Sequence, residues 1–441
     1  MNNNPAIIWG TRRITWGQLE QYCASVIGQL KGLGLKPGDR VAICAPTGPE
    51  YIIVLFGLWR MKVVVCPVNP RWPSQAVSAY LSRIGASLFL TTVQLKKNLP
   101  TVTLRTLNLN EVVCFDARRD SPEGGSSWQP DPQQEATVIA TSGSSAEPKA
   151  AVHTWANHYY NALGSNELIA LTSADRWLLS LPLYHVSGIA IVVRCFLAGA
   201  AIVLLGEEEL GEAITKRQAT HVSLVTTQLY RLLQTPSGTA ALKSLKYILL
   251  GGSVIPPALI EKSLANSLPV YVSYGLTEMA SQVATGKASG CVKTLPHREL
   301  KVDAQGEILV RGQTLFKGYI QAGRVHLPLT PDGWFKTGDL GQMDKQGCLT
   351  VIGRRDKMFI SGGENVHPEE IEKVLLSLEG IIAARVAPKE DAEFGHRPVA
   401  FIKFDRQPIA DQVLTEHCAR SLPRFMVPVA FYPLETPSKL A

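Results

Sequence analysis

The chain has 441 residues, 46% hydrophobic and 18% charged, with 36 Gly and 28 Pro. That is enough apolar chain for two or three domains; it excludes a mainly disordered protein, and no repeat of about 20 to 50 residues suggests a solenoid or propeller. Lys and Arg number 44 against 37 Asp and Glu, a net charge of +7 without a basic block, which suits anionic small molecules and gives no footprint for nucleic acid.

The first residues show no basic stretch followed by an apolar one, so a secretory signal is not expected. Leu19, Tyr22, Cys23, Val26, Ile27 and Leu30 then fall on one helical face behind the capping pair Thr15 and Gln18. A turn at 34–39 leads into a strand at 41–44, a helix at 51–59, a strand at 63–67, a helix at 73–84 and a strand at 87–91. This is the βα rhythm of a parallel sheet. The apolar stretches 51–69 and 189–205 are interrupted by Arg60 and Lys62 and by Arg194, so both are expected in the core and no membrane insertion is expected.

Residues 116–135 form a polar connection rich in Pro, Gly and Ser, and a second βα set runs from Trp177 to about Gln282. From Leu300 to Ile352 short strands alternate with Gly-containing turns, as at 306–311 and 347–353, the pattern of an antiparallel sheet or barrel. After a charged stretch at 353–357, Pro368, Glu369 and Glu370 open a helix with Ile371, Val374, Leu375 and Leu378 on one face. The expected fold is α/β: a large N-terminal region of βα-layered subdomains with a small β-barrel-like subdomain, then a small mobile α+β C-terminal domain. The boundaries are 1–353 and 357–441, with a hinge at about 354–356.

The cysteines are Cys23, Cys44, Cys66, Cys114, Cys195, Cys291, Cys348 and Cys418, with no C-x-x-C pair. They read as reduced core residues of a cytosolic protein, neither a disulfide framework nor a zinc site. The segment TSGSSAEPK at 141–149 follows a buried strand and offers hydroxyls, backbone N–H groups and one lysine. It is either a phosphate cradle or a solvated turn, and it is not a Walker loop.

That segment is followed in order by LPLYHVSG at 181–188, LLGGS at 249–253, YGLTE at 274–278, GWFKTGD at 333–339 and GRRD at 353–356. The series resembles the adenylate-forming superfamily of acyl-CoA synthetases, peptide-synthetase adenylation domains and luciferases, along nearly the whole chain. Longer stretches at 180–188, 224–233, 274–282, 359–365 and 393–400 resemble its CoA ligases of menaquinone biosynthesis, whose acid is o-succinylbenzoate. Alternatives are another aryl- or acyl-CoA ligase, or a catalytically weak nucleotide-binding homologue.

The resemblance implies ATP, Mg²⁺, CoA and an aromatic dicarboxylic acid as small-molecule partners, with oligomeric state left open. It implies that Thr141, Ser142, Gly143, Ser144, Ser145 and Lys149 hold the β- and γ-phosphates; Ala146 stands where the family usually has Gly, which puts phosphate affinity in question. Tyr274 and Gly275 would lie against adenine, Thr277 would touch the α-phosphate, and Glu278 would hold Mg²⁺, its other reading being a helix-start carboxylate. Gly251 and Gly252 would admit the purine and acyl chain, or simply make a turn. Asp339 would accept the ribose hydroxyls together with Arg354, and Asp356 would be the hinge.

His185 is either a core histidine or an orienting group beside the reacting carboxylate. Arg194, alone in an apolar segment, needs an anion: the second carboxylate of the acid, or a carboxylate of the protein. Lys439 would be the catalytic lysine reaching the acyl carboxylate and α-phosphate, although it lacks the usual preceding glycine and is otherwise a solvated terminal residue.

Overall fold

The computed structural model describes residues 3–96, 104–113, 115, 128–141, 148–252, 255–361, 364–391 and 394–434. Residues 116–127 of the polar connection and Cys114 lie outside them.

Two large sheets dominate. In the first, the strands run in the order Lys293–Thr294, Ser281–Lys287, Val270–Leu276, Tyr247–Gly251, His221–Leu224, Arg176–Leu179, Ala201–Leu204, Pro5–Trp9 and Arg12–Thr15. In the second, the order is Arg324–His326, Gly318–Gln321, Lys149–Thr154, Glu135–Thr141, Val64–Pro67, Arg40–Cys44, Leu88–Thr91 and Thr106–Asn108. The inner strands of both are mostly parallel and apolar along their whole length, because helices cover both faces.

Alternation of side chains along each strand assigns the layers. Ile7, Trp177, Leu179, Ile202 and Leu249 of the first sheet and Val41, Ile43, Val65, Leu88 and Leu90 of the second point into one shared core. Their neighbours Ile8, Leu178, Val203, Val222 and Ile248 point outward under a second helical layer, and Ala42, Cys44, Val64 and Phe89 under a third. The shared core is filled by helices buried almost all round, Pro49–Arg60 and Val186–Ala198 among them. This is why the two apolar stretches carry so few charges; no described helix is long and apolar enough to cross a membrane.

The short strands expected after Leu300 form an antiparallel sheet of Arg298–Val302, Glu307–Gly312, Phe335–Met343 and Leu349–Arg354, in that order. Beyond it, Pro368–Leu376 and Asp411–Ser421 pack with the strands Ile381–Asp391, Gly395–Phe404 and Phe431–Pro433 around a separate core that includes Phe359, Val366, Ile371, Leu375 and Leu414.

The expectation that every cysteine is reduced fails at one pair. Cys291 and Cys348 form a disulfide, their Cα atoms 5.2 Å apart and 57 residues apart in sequence. Cys291 lies in the connection between Ser281–Lys287 and Lys293–Thr294, Cys348 just before Leu349–Arg354, and the Leu349 N–H donates to the Val292 carbonyl at 2.9 Å beside the bridge. The bridge therefore straps the edge of the first large sheet to the four-stranded sheet. No local spacing announces such a pair, since folding alone brings the two turns together. Cys23, Cys44, Cys66, Cys195 and Cys418 are free and buried, as expected.

Closing a loop of this length removes about 4 kcal/mol of entropy from the unfolded chain. Cys291→Ser is expected to lower the denaturant midpoint, and dithiothreitol to lower the parent's midpoint similarly while leaving the variant's unchanged. Parent and variant responding equally to reductant would contradict the strap.

Candidate active site

The strand Glu135–Thr141 returns antiparallel as Lys149–Thr154, with Thr141 directly opposite Lys149. The two ends of the phosphate-loop segment are thus held together; Ser142, Gly143, Ser144 and Ser145 lie outside the described residues, as does Lys439. The ammonium of Lys149 stands 5.2 Å over the ring of Tyr319, and the Tyr319 hydroxyl donates to Glu278 Oε1. Lys149, Tyr319 and Glu278 therefore form one cluster, although they come from three separate parts of the chain.

Thr277 and Glu278 occupy the short 3₁₀ turn Thr277–Met279 that follows the strand Val270–Leu276. Ala280 and Ser281, which leave the turn, have φ of 55° and 120°, a costly conformation for residues with a Cβ. Glu278 Oε2 makes no hydrogen bond among the described residues, so one hard oxygen remains for a cation. That fits Mg²⁺, which keeps most of its waters and needs few protein ligands. Glu278 is also the acidic residue in the first turn of this short 3₁₀ helix, as its helix-start reading has it.

On the other side of the site, the pairing of Asp339 with Arg354 across an antiparallel hairpin fixes both residues. Tyr274 Oη donates to Asp339 Oδ2 at 2.6 Å, and Arg354 Nη1 donates to Asp339 Oδ1 at 3.1 Å and to the Thr337 carbonyl at 2.9 Å. The remaining edge of the guanidinium holds Asp356, Nε to Oδ1 at 3.0 Å and Nη2 to Oδ2 at 3.2 Å. Arg354 is consequently a fork between two carboxylates, raised above its ordinary pKa mainly by the bond to Asp356, whose own carboxyl is lowered in return. Gly338 must be glycine: its φ is +75°, and a Cβ there would meet Arg354 Nη2 at 2.9 Å.

Gly251 ends the strand Tyr247–Gly251, where a Cβ would meet the Ser273 carbonyl of the neighbouring strand at 2.8 Å. The close approach seen is to the protein's own backbone, and Gly252 follows with a positive φ of 89°. His185 immediately precedes the helix Val186–Ala198, exposed, its ring centroid 4.7 Å from that of Tyr184. Desolvation by the protein around it lowers its pKa below the ordinary imidazole value.

Arg194 lies on the same helix and is 1% exposed. Its guanidinium is 5.3 Å from the Trp177 ring centroid, no carboxylate among the described residues pairs with it, and Nε and Nη2 have no hydrogen-bond partner. The protein-carboxylate reading of Arg194 is therefore not what the described structure contains. Burial lowers its pKa to about 10, which leaves it a cation at neutral pH. Trp177, His221, Tyr247 and Tyr271 stack across neighbouring strands beside it, Tyr247 and Tyr271 at 3.9 Å, and Tyr247 Oη and Trp177 Nε1 are also buried without partners. A flat wall with several unused polar atoms and a buried cation is suited to an aromatic anion.

The sequence gives no sign of Tyr319, or of the wall of Trp177, Tyr247 and Tyr271, because their sites are made by strands far apart in the chain. His153 is missed as well, though it was findable: four residues after Lys149 on the same strand, it faces the same side. Its Nε2 lies 2.7 Å from the Thr277 carbonyl, and burial lowers its pKa to about 4, so the ring is neutral.

The model of the AMP-binding enzyme family matches residues 1–320, and that of the AMP-binding enzyme C-terminal domain matches residues 370–439. The chain belongs to the AMP-binding enzyme family. Within it, the chain is 35% identical to the 2-succinylbenzoate–CoA ligase of Salmonella typhimurium, over 99% of this chain and 91% of that protein. It is 34% identical to that of Escherichia coli over 96% of this chain and 89% of that one. The o-succinylbenzoate CoA synthetase of Bacillus subtilis has been solved with the acyl-adenylate intermediate OSB-AMP, and also with ATP and magnesium ion; both structures match with a TM-score of 0.86 and 28% identity. Each covers 98% of this chain, which spans 92% and 93% of those chains.

Burial is the largest influence on Asp339 and raises its carboxyl despite donors from Tyr274 and Arg354. The folded state then holds this proton more tightly than the unfolded chain, so ionisation costs stability above the folded pKa and that cost fades as pH falls through the ordinary carboxylate range. Asp339→Asn is expected to melt no lower than the parent at about pH 8, with the two converging toward about pH 4. Thermal melts across pH test this; a variant markedly less stable at the higher pH would contradict it.

Proposed function

We propose that this chain is an ATP-dependent acid–thiol ligase that converts 2-succinylbenzoate and CoA to 2-succinylbenzoyl-CoA, releasing AMP and pyrophosphate, in menaquinone biosynthesis in the cytoplasm. A carboxylate oxygen of the acid attacks the α-phosphorus of ATP and pyrophosphate leaves. The CoA thiol then attacks the acyl carbon, its proton is lost, and AMP leaves with the oxygen that bridged carbon and phosphorus.

The acid is already ionised at neutral pH, so the first step needs no general base, and His185 orients the attacking carboxylate. What the step requires is charge stabilisation and alignment. Thr141, Ser142, Gly143, Ser144, Ser145 and Lys149 hold the leaving phosphates, and Thr277 contacts the α-phosphate. Glu278 would hold Mg²⁺, which supplies charge neutralisation on the phosphate oxygens. Asp339 and Arg354 take the ribose hydroxyls, Tyr274 and Gly275 the adenine, and Gly251 and Gly252 the space beside it. Lys439 bridges the acyl carboxylate and the α-phosphate. Residues 1–353 form the substrate-binding region, and 357–441 a lid that turns about 354–356, with Asp356 as pivot.

The observation that carries the substrate class is Arg194: a buried cation with two unused nitrogens beside an aromatic wall. The acid's second, unreacting carboxylate, attached to a ring, supports the pairing by shape and charge. With Mg-ATP and CoA, AMP release is expected to be fastest with 2-succinylbenzoate in a panel including benzoate and straight-chain acids. Equal rates with monocarboxylates, or no AMP with any acid, would overturn the reading. A hydrogen bond to a charged group contributes about 1.5–3 kcal/mol, so Arg194→Leu should raise KM for 2-succinylbenzoate about tenfold or more without changing KM for ATP.

Lys439→Ala is expected to lose adenylate formation while still transferring a supplied 2-succinylbenzoyl adenylate to CoA. Equal loss of both half-reactions would remove Lys439 from the first step.

A further inference from the structure

The turn Thr277–Met279 is held by its backbone. Its three carbonyls are engaged from outside the turn: Thr277 O by His153 Nε2 at 2.7 Å, Glu278 O by the Phe316 N–H at 2.8 Å, and Met279 O by Asn161 Nδ2 at 3.0 Å. Thr277 O also accepts the Ala280 N–H at 3.0 Å. Of the three outside donors, only His153 is itself part of a buried side-chain chain. Thr137 Oγ1 lies 3.4 Å from His153 Nδ1 and 2.8 Å from His158 Nε2, and the two imidazole centroids are 5.1 Å apart. His153 and Thr137 are 0% exposed and His158 is 1% exposed.

The acceptor at the end of this chain assigns the proton on His153. A carbonyl can only accept, so His153 Nε2 carries the proton, and in a neutral ring Nδ1 is then the acceptor. Thr137 Oγ1 can donate to that Nδ1 and accept from His158 Nε2–H, which pairs all three groups. Two strands and a helix thus enclose the ring, and the ring holds one carbonyl.

From this geometry we propose that His153 is a positioning residue for the adenylation step: its Nε2–H, buried beside Thr137 and His158, holds the Thr277 carbonyl so that the Thr277 hydroxyl and Glu278 carboxylate stay aimed at phosphate and cation. The inference rests on the functional reading above. The backbone it holds is under strain at Ala280 and Ser281, and a strained turn relaxes unless its surroundings over-determine it. Lys149 begins the same strand and faces the same side, so one strand presents both the phosphate lysine and the histidine that locates the turn opposite.

The test compares side chains that keep or lose the donor. Gln at 153 can place an amide N–H near the Nε2 position; Leu keeps the bulk without a donor, and Asn is polar but too short. His153→Leu and His153→Asn are expected to lower kcat for adenylation about tenfold or more with KM for the acid unchanged, and His153→Gln to recover most of the rate. A readout independent of turnover is calorimetric titration with ATP in the absence of the acid, with and without Mg²⁺. The parent's gain in affinity from Mg²⁺ should shrink severalfold in the Leu and Asn variants and return in Gln. Thr137→Val should move both readouts the same way by less.

Leu and Gln equally impaired would assign His153 to packing and overturn the inference, as would a Leu variant matching the parent in both readouts. If Leu fails to fold, the Gln and Asn variants decide alone: Gln no better than Asn overturns it. A parent that releases no AMP with any acid would instead overturn the functional reading, so the two failures are distinguishable.

Discussion

The two large sheets meet where the strand Lys149–Thr154 of one packs beside the turn Thr277–Met279 of the other, and the candidate site depends on that contact. Lys149 reaches Glu278 through Tyr319, and His153 reaches Thr277 directly. Strand spacing of about 3.4 Å per residue separates Lys149 and His153 by roughly 14 Å, and the two converge on adjacent residues of the turn, one through Tyr319 to the Glu278 side chain and one directly to the Thr277 backbone. Among the described residues, Lys149 and His153 are thereby carried on one sheet strand beside the turn that holds Thr277 and Glu278. The apolar helices between the sheets set the spacing at which this contact can form.

Two buried arginines differ in how far the protein satisfies them. Arg298, 6% exposed, spends its guanidinium on backbone: Nε donates to Pro296 O at 2.9 Å, Nη2 to Tyr160 O and Asn161 O at 3.3 Å each, and Nη1 to Gln282 O. Arg194 is more deeply buried and leaves two nitrogens unused. An unsatisfied buried polar group costs about 1–3 kcal/mol, more when charged, so the first arginine is complete as a structural element and the second is complete only with a partner. Both have their pKa lowered by burial, to about 9 and about 10, and each remains charged at neutral pH. The net +7 of the chain is diffuse, and of these two buried cations Arg194 alone leaves nitrogens unused.

Much of the fold is legible in the sequence because it is written in periodicity. The first helix announces itself by its cap and stripe, and residues 16 to 32 are indeed helical from the capping box onward. The parallel strands are legible as short apolar runs between helices. What the sequence withholds is whatever distant segments create together. The Cys291–Cys348 bridge, the Tyr319 link and the aromatic wall all join strands far apart in the chain, and no spacing rule encodes them. Arg194 is visible as a charge in an apolar stretch, yet that no described carboxylate pairs with it is legible only in the fold. Asp339, Arg354 and Asp356 were readable one by one; that one guanidinium forks between both carboxylates is a property of the hairpin.

In the proposed reaction the acid's own carboxylate attacks the α-phosphorus of ATP. The direct measurement is isotope transfer: 2-succinylbenzoate labelled with ¹⁸O in the succinyl carboxylate, turned over with Mg-ATP and CoA, and the products weighed by mass spectrometry. One labelled oxygen is expected in each AMP and none in pyrophosphate. Label in pyrophosphate or inorganic phosphate, or AMP formed without label, would contradict it.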